Sequence, residues 1–270
     1  MSDGRALARE YLEQQRLLGG DPVLLSDSRT VGQSDREPHR AAADVSVVSG
    51  PDPRSDRPTG RPSDAALPPP GISYDPPSAD LFAADPVSQA ATLQAVAALV
   101  AECTKCRLCE GRTNTVPGEG PADARLVVVG EGPGRVEDQT GRPFVGKAGE
   151  LLTKILGAID LPRERVFICN VVKCRPPENR LPQYDEIAAC LPYLHRQLEL
   201  LKPKVILAMG GTAAQTLLDT TQSLGSLRNR VHRFRGIPVI VTYHPAALLR
   251  NPNWKRPTWD DVRIARRLLD

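Results

Sequence analysis

Two kinds of chemistry-bearing residue stand out in this 270-residue chain: paired cysteines, and single polar side chains placed directly after apolar runs. Cys103 and Cys106 form a C-x2-C pair within "CTKCRLC", and Cys174 and Cys190 follow later with 15 residues between them. Four thiolates in two pairs can hold zinc or an iron–sulfur cluster. Zinc sites of two pairs usually have short knuckle spacing in both, and the second pair is wider than that. Cys109 adds a second C-x2-C register. Cys169 lies inside an apolar run, where a small buried side chain is the expected role.

The stretch "VVVGEGPGRVEDQTGRPFVGKAG" (127–149) places glycines, an acidic cluster and one phenylalanine after a run of valines. A dinucleotide-binding turn would need a third glycine at position 135 and an uninterrupted helix opening. Position 135 is Arg135, and Pro133 breaks the opening. The loop therefore approaches something other than a pyrophosphate. Elsewhere Asn170 ends "RVFICN", Gly210-Gly211-Thr212 follows "KVILAM", and His244-Pro245 follows "IPVIVTY". A carboxamide supplies one donor and one acceptor face, imidazole can donate or accept, and a helix start suits an anion.

Something must bring these residues together. The runs "RLVVVGE" (125–131), "RVFICNV" (165–171), "KVILAMG" (204–210) and "IPVIVTY" (237–243) read as strands buried on both faces. Helical patterns lie between them in "GELLTKILGAI", "YDEIAACLPYLHRQLELL" and "TAAQTLLD", and "SQAATLQAVAALVAEC" leads in. This alternation predicts a three-layer α/β/α sandwich on a central four-stranded parallel sheet. Such sheets bind ligands beyond the carboxyl ends of their strands. Glu131 and the glycine loop, Asn170, the start at Thr212 and His244 all fall at those ends.

Composition divides the chain. Residues 1–90 carry nine arginines, no lysine and fourteen acidic residues, whereas the remainder holds 26 basic and 18 acidic residues. Residues 20–85 are rich in Pro, Asp, Ser, Arg and Ala and have too little apolar surface to fold. Residues 1–87 are thus expected to be a disordered tail, with 88–270 as the folded domain. Within the tail, Leu7, Tyr11 and Leu18 share one face of a possible helix at 5–18, which could dock a protein partner. The basic folded part suits a polyanion. No membrane-span pattern or secretory leader is evident, and a monomeric cytoplasmic protein with reduced or metal-bound cysteines is expected.

Three blocks in order, "GEGPGRVEDQTGRPFVGKAGELL", "CNVVKCRPPENRLPQYDEIAAC" and "YHPAALLR", resemble the family 4 uracil-DNA glycosylases, an iron–sulfur group. The resemblance covers about residues 90–270. It implies an enzyme of base excision repair that flips uracil out of DNA and hydrolyses its N-glycosidic bond, leaving an abasic site. It implies a 4Fe–4S cluster on Cys103, Cys106, Cys174 and Cys190. For the uracil pocket it implies Phe144 as the stacking ring, Asn170 as the amide that reads the base edge, and His244 facing uracil O2. Gly132, with Gly130 and Gly134, would let backbone approach base and sugar.

Glu137 is the first candidate for orienting water, with Glu131 in the same loop and Asp138 as a brace. The family's better-known relatives carry an aspartate where this chain has Gly132, which leaves the water-handling acid open. Lys147 and Thr212, at helix starts, and Arg250 are candidate phosphate contacts, and the basic run "LRNRVHRFR" (227–235) could lie along the backbone. Leu248 and Leu249 are candidate wedges for the space left by the flipped base. Alternatives are a protein that traps uracil-DNA covalently, a non-catalytic iron–sulfur or zinc module, and an enzyme for another base. The first would carry an inserted basic loop after the second strand, but Lys173 runs straight into Cys174-Arg175-Pro176.

Overall fold

In the computed structural model, residues 66–76 and 85–270 are described. In chain order the elements are β1 (Pro70–Tyr74), α1 (Pro86–Gln89), α2 (Leu93–Ala101), α3 (Leu108–Gly111), β2 (Leu126–Gly130), α4 (Arg135–Thr140), α5 (Lys147–Gly157) and β3 (Phe167–Asn170). Then follow α6 (Tyr184–Leu201), β4 (Val205–Met209), α7 (Gly211–Leu218), α8 (Leu224–Leu227), β5 (Val231–Phe234), β6 (Ile237–Thr242), α9 (Pro245–Arg250) and α10 (Lys255–Leu269).

The strands form one sheet in the order β1-β5-β6-β4-β2-β3. β6, β4, β2 and β3 are mutually parallel, as their apolar runs predict. Every residue of β2, β3 and β4 is buried, because helices cover both faces. Leu126 and Val128 point into a core with Leu152, Leu156 and Val262, whereas Val127 and Val129 join Leu194, Leu198 and Leu217 on the other face. The α/β/α class holds.

The sheet has six strands rather than four. β5 pairs antiparallel with β6 through a tight turn at Arg235 and Gly236, both at positive φ (48° and 76°), which matches the twist of a two-residue hairpin. Its sequence "VHRF" concealed a strand within a basic run, although His232 and Phe234 alternate inward. β1 pairs parallel with β5. Pro70–Tyr74 therefore belongs to the sheet, not to a tail ending at residue 87. The Ile72 amide donates to His232 Nδ1 at 2.9 Å, and Ile72 and Tyr74 pack on the core. The possible helix at 5–18 lies outside the described residues.

The parallel register sets the site. Gly130 pairs with Asn170, and Met209 with Thr242, so the carboxyl ends of four strands finish along one edge.

Candidate uracil pocket and cysteine site

A cleft of about 560 Å³ opens at that edge, and Glu131, Glu137, Phe144, Asn170, His244 and Arg250 all line it. Residues from distant parts of the chain meet here because β2, β3 and β6 end along this edge and the segments after them line it.

Phe144 is held by its backbone. It lies at φ 51°, an uncommon conformation for a bulky residue. The Arg163 guanidinium donates to the carbonyls of Phe144 (2.9 Å) and Pro143 (2.6 Å). Glu137 Oε1 accepts from the amides of Val145 (3.0 Å) and Gly146 (2.9 Å). Gly149, in the first turn of α5, admits the Phe144 carbonyl so closely that a Cβ there would lie 1.8 Å from its oxygen. The ring sits 5.4 Å from the His244 ring, centroid to centroid, at an interplanar angle of 35°.

Asn170 is 1% exposed, and neither its Oδ1 nor its Nδ2 has a protein partner. Leaving a buried donor or acceptor unpaired costs about 1–3 kcal/mol each. An amide kept in that state at a cleft is set for a ligand with a matching donor and acceptor. Gly130 makes room for it: a Cβ there would lie 2.4 Å from Asn170 Oδ1 and 2.5 Å from Phe144 Cζ. The bare backbone thus accommodates the pocket's own side chains.

His244 caps α9, its Nδ1 accepting the Ala246 amide at 3.2 Å. Burial, with Arg250 adding to it, brings the imidazole pKa down to about 4, against a smaller opposing pull from Glu137. The neutral ring accepts at Nδ1, so its proton sits on Nε2, which is left as a donor.

The two acids differ. Burial raises the pKa of Glu131, opposed by the Thr212 hydroxyl, which donates to Glu131 Oε2 at 2.6 Å, and by Arg250. The Glu131 carbonyl accepts from the Val172 amide at 3.1 Å. Glu137 lines the cleft but commits Oε1 to two backbone amides. Asp138 is buried and accepts from the Thr113 amide at 2.9 Å, a brace as expected.

The expected DNA contacts sort unevenly. Leu249 is 49% exposed, but Leu248 is 1% exposed and cannot act as a wedge without leaving its packing. Arg250 and Lys147 are exposed. Thr212 gives its hydroxyl to Glu131, and Glu137 occupies amides at the start of α5, so both helix starts already face a carboxylate. In the basic run, Arg228 pairs with the buried Asp261 at 2.7 Å and Arg235 pairs with Glu199. His232 is buried. These side chains build the fold and are not available to the DNA backbone.

The cysteines gather at a second place. Cys103, Cys106, Cys109, Cys174 and Cys190 line one cavity. The Arg112 guanidinium donates to Cys174 Sγ at 3.2 Å and the Lys173 amide to Cys190 Sγ at 3.2 Å. Burial pushes the Cys190 thiol up to about 12, and raises Cys174 and Cys106. Among the described residues no group of three His, Cys, Asp or Glu side chains is set to hold a single metal ion. Cys169 is fully buried in β3, apart from the cavity lining, as its position in an apolar run predicts.

Sequence reasoning missed Arg163, because its target is a backbone carbonyl. It also missed the parallel stack of Tyr243 on Trp254, 4.6 Å apart, with Arg228 on Tyr243. Both aromatics line the cleft.

Residues 117–264 match the family model described as the uracil DNA glycosylase superfamily. A type-4 uracil-DNA glycosylase of Thermotoga maritima is 46% identical over 181 residues, covering 66% of this chain and 94% of the relative. One of Sulfurisphaera tokodaii is 44% identical over 186 residues, covering 66% and 84%. The chain belongs to the uracil-DNA glycosylase superfamily. A third type-4 uracil-DNA glycosylase, of Pyrobaculum aerophilum, is 46% identical over 168 residues, covering 59% of this chain and 86% of its own. As in any superfamily, the shared fold leaves substrate and chemistry to be argued from the pocket. Among the described residues of this uracil-DNA glycosylase-like chain, no helix is long and apolar enough to cross a membrane.

Proposed function

We propose that the protein is a DNA-repair glycosylase that hydrolyses the N-glycosidic bond of deoxyuridine in DNA and leaves an abasic site. The observation that carries this reading is the unpaired Asn170 amide beside the Phe144 ring. Uracil presents an O4 acceptor next to an N3–H donor, and a carboxamide matches both. Cytosine reverses that pattern and would leave the amide unpaired, which supports strong discrimination. A base must leave the duplex to reach a pocket behind the strand ends. Phe144 then offers a face to the extruded ring.

Breaking the N1–C1′ bond places negative charge on uracil and positive charge on the sugar. The Nε2–H of a neutral His244 is a preorganised donor for the charge that develops at O2. Of the acids, Glu131 is the better candidate for holding water or facing the sugar cation, since its carboxylate carries a single hydrogen bond among the described residues. Glu137 is assigned instead to holding the Phe144 loop. Gly132 keeps the backbone next to Val172 and leaves the cleft wall without a side chain. Leu249 is the wedge, with Arg250 and Lys147 as phosphate contacts that position the duplex without reading its sequence.

Cys103, Cys106, Cys174 and Cys190 are assigned to a 4Fe–4S cluster. The fit rests on an all-thiol donor set around a cavity, with N–H groups already aimed at two of the sulfurs. The cluster would tie α2, α3, the loop after β3 and α6 together; hydrolysis itself needs no electron transfer. Cys109 lines the same cavity and is a spare thiol in this assignment.

The test uses protein purified without oxygen and an oligonucleotide holding one deoxyuridine. The expected result is visible cluster absorbance together with alkali-labile scission at that position alone. Scission at deoxycytidine or thymidine, or none, would count against the assignment.

A further inference from the structure

Lys173 joins the two sites. Its side chain is 1% exposed, and its Nζ donates to the Asn170 carbonyl at 2.7 Å and to Gln197 Oε1 at 2.7 Å. Its backbone amide donates to Cys190 Sγ, and its carbonyl accepts the Val116 amide at 2.8 Å. Gln197 is fixed in turn, donating Nε2 to the Pro117 carbonyl at 2.7 Å. One residue therefore holds the backbone of the base-reading asparagine with its side chain and a cysteine of the second site with its main chain.

The charge is unusual. Among the described residues Lys173 has no carboxylate partner, and both of its acceptors are neutral. Its donors hold neighbouring chain rather than neutralise an acid.

We propose that Lys173 is a positioning residue that couples the cysteine site to uracil recognition. Occupancy of the cysteine site fixes Cys190, whose Sγ accepts the Lys173 amide, and the Lys173 ammonium in turn orients Asn170 through its main-chain carbonyl. The inference rests on the glycosylase reading and on the cysteine assignment. It deepens them by making base selectivity depend on occupancy of a site that takes no part in bond cleavage.

The test compares wild-type holoprotein with Lys173→Met. Three quantities are read: iron per chain with visible absorbance, inhibition by free uracil, and the ratio of uracil to cytosine release from matched oligonucleotides. Loss of one charged hydrogen bond is expected to weaken free-uracil inhibition by about tenfold or more and to lower the release ratio similarly. Iron is expected to be lost to a chelator faster than from wild type. A residue that only supports the fold would lower all activity without moving the ratio or the uracil inhibition. Where Lys173→Met does not accumulate folded, Gln197→Met removes the ammonium's other acceptor and is expected to shift the same quantities in the same direction. An unchanged ratio and unchanged uracil inhibition in the folded variant overturn the inference while leaving the function intact. Failure of the wild type to release uracil overturns the reading beneath it.

Discussion

His244 is held neutral by burial, which brings its pKa to about 4, and its Nδ1 is already occupied by the Ala246 amide. It can therefore donate from Nε2 across the whole neutral range. Activity governed by this donor should not fall through pH 6.5, where an ordinary histidine titrates. A kcat/KM profile that is level between pH 6 and 8 is the expected outcome; a tenfold loss per unit below 6.5 would contradict it. Stability has its own sign. The unfolded chain takes up protons near pH 6.5, whereas folded His195 and His244 do so only near 4. Between those values the unfolded state binds more protons, so acidification favours unfolding, and the urea midpoint should drop from pH 7 to pH 5. At this scale the sequence made Asn170 and His244 legible because they end or follow apolar runs, and Phe144 legible through the resemblance of its block to the family. Thr212 and Lys173 were not legible in their true roles. Whether a hydroxyl meets a phosphate or Glu131, and whether a lysine turns inward, depends on partners distant in the chain.

At the scale of elements, α9 places two adjacent leucines in opposite surroundings. Leu248 is buried and Leu249 projects into solvent beside Arg250. The helix packs on α5 and the turn at Pro252–Trp254, and that packing sets its phase. Leu248→Ala should destabilise the fold by about 2–5 kcal/mol with DNA specificity unchanged in the folded fraction. Leu249→Ala should leave the melting temperature alone and lower kcat/KM on duplex DNA on the order of tenfold, with less effect on single strands. Thermal melts paired with duplex and single-strand assays separate the two, and equal behaviour of both variants would refute the wedge assignment. The phase of a six-residue helix cannot be taken from "PAALLR", because alternating apolar faces are equivalent until a neighbour is present. The parallel strands were easier. Burial on both faces writes itself as an unbroken valine and isoleucine run, whereas β5 carries Arg233 on its open face, with Arg230 and Arg235 flanking the strand, and resembled a nucleic-acid-binding stretch.

The molecule as a whole extends farther toward the N-terminus than composition predicts. β1 covers β5 at the sheet edge and supplies the amide that satisfies His232 Nδ1, while His232 Nε2 meets the Leu227 carbonyl at 2.6 Å. Chains beginning at residue 66 and at residue 85 should therefore differ. The first is expected to melt and to release uracil like the full chain. The second uncovers the β5 edge and strands a buried imidazole nitrogen, and a loss of about 2 kcal/mol would lower the melting temperature by roughly 4–8 °C. Identical melting of the two would show that β1 contributes nothing. A five-residue strand that starts at the last proline of "LPPP" is hard to read from sequence because its stability comes from pairing with β5 and from Ile72 and Tyr74 on the core, not from local propensity.

The central claim is spatial: one extruded pyrimidine fills the space bounded by Phe144, Asn170 and His244. A crystal structure of the holoprotein soaked with uracil addresses it directly. The expected result has the base stacked on the Phe144 ring, with the Asn170 amide within hydrogen-bond distance of O4 and N3 and His244 Nε2 facing O2. Uracil bound elsewhere in the cleft, or an Asn170 amide that stays unpaired with the base present, would contradict it.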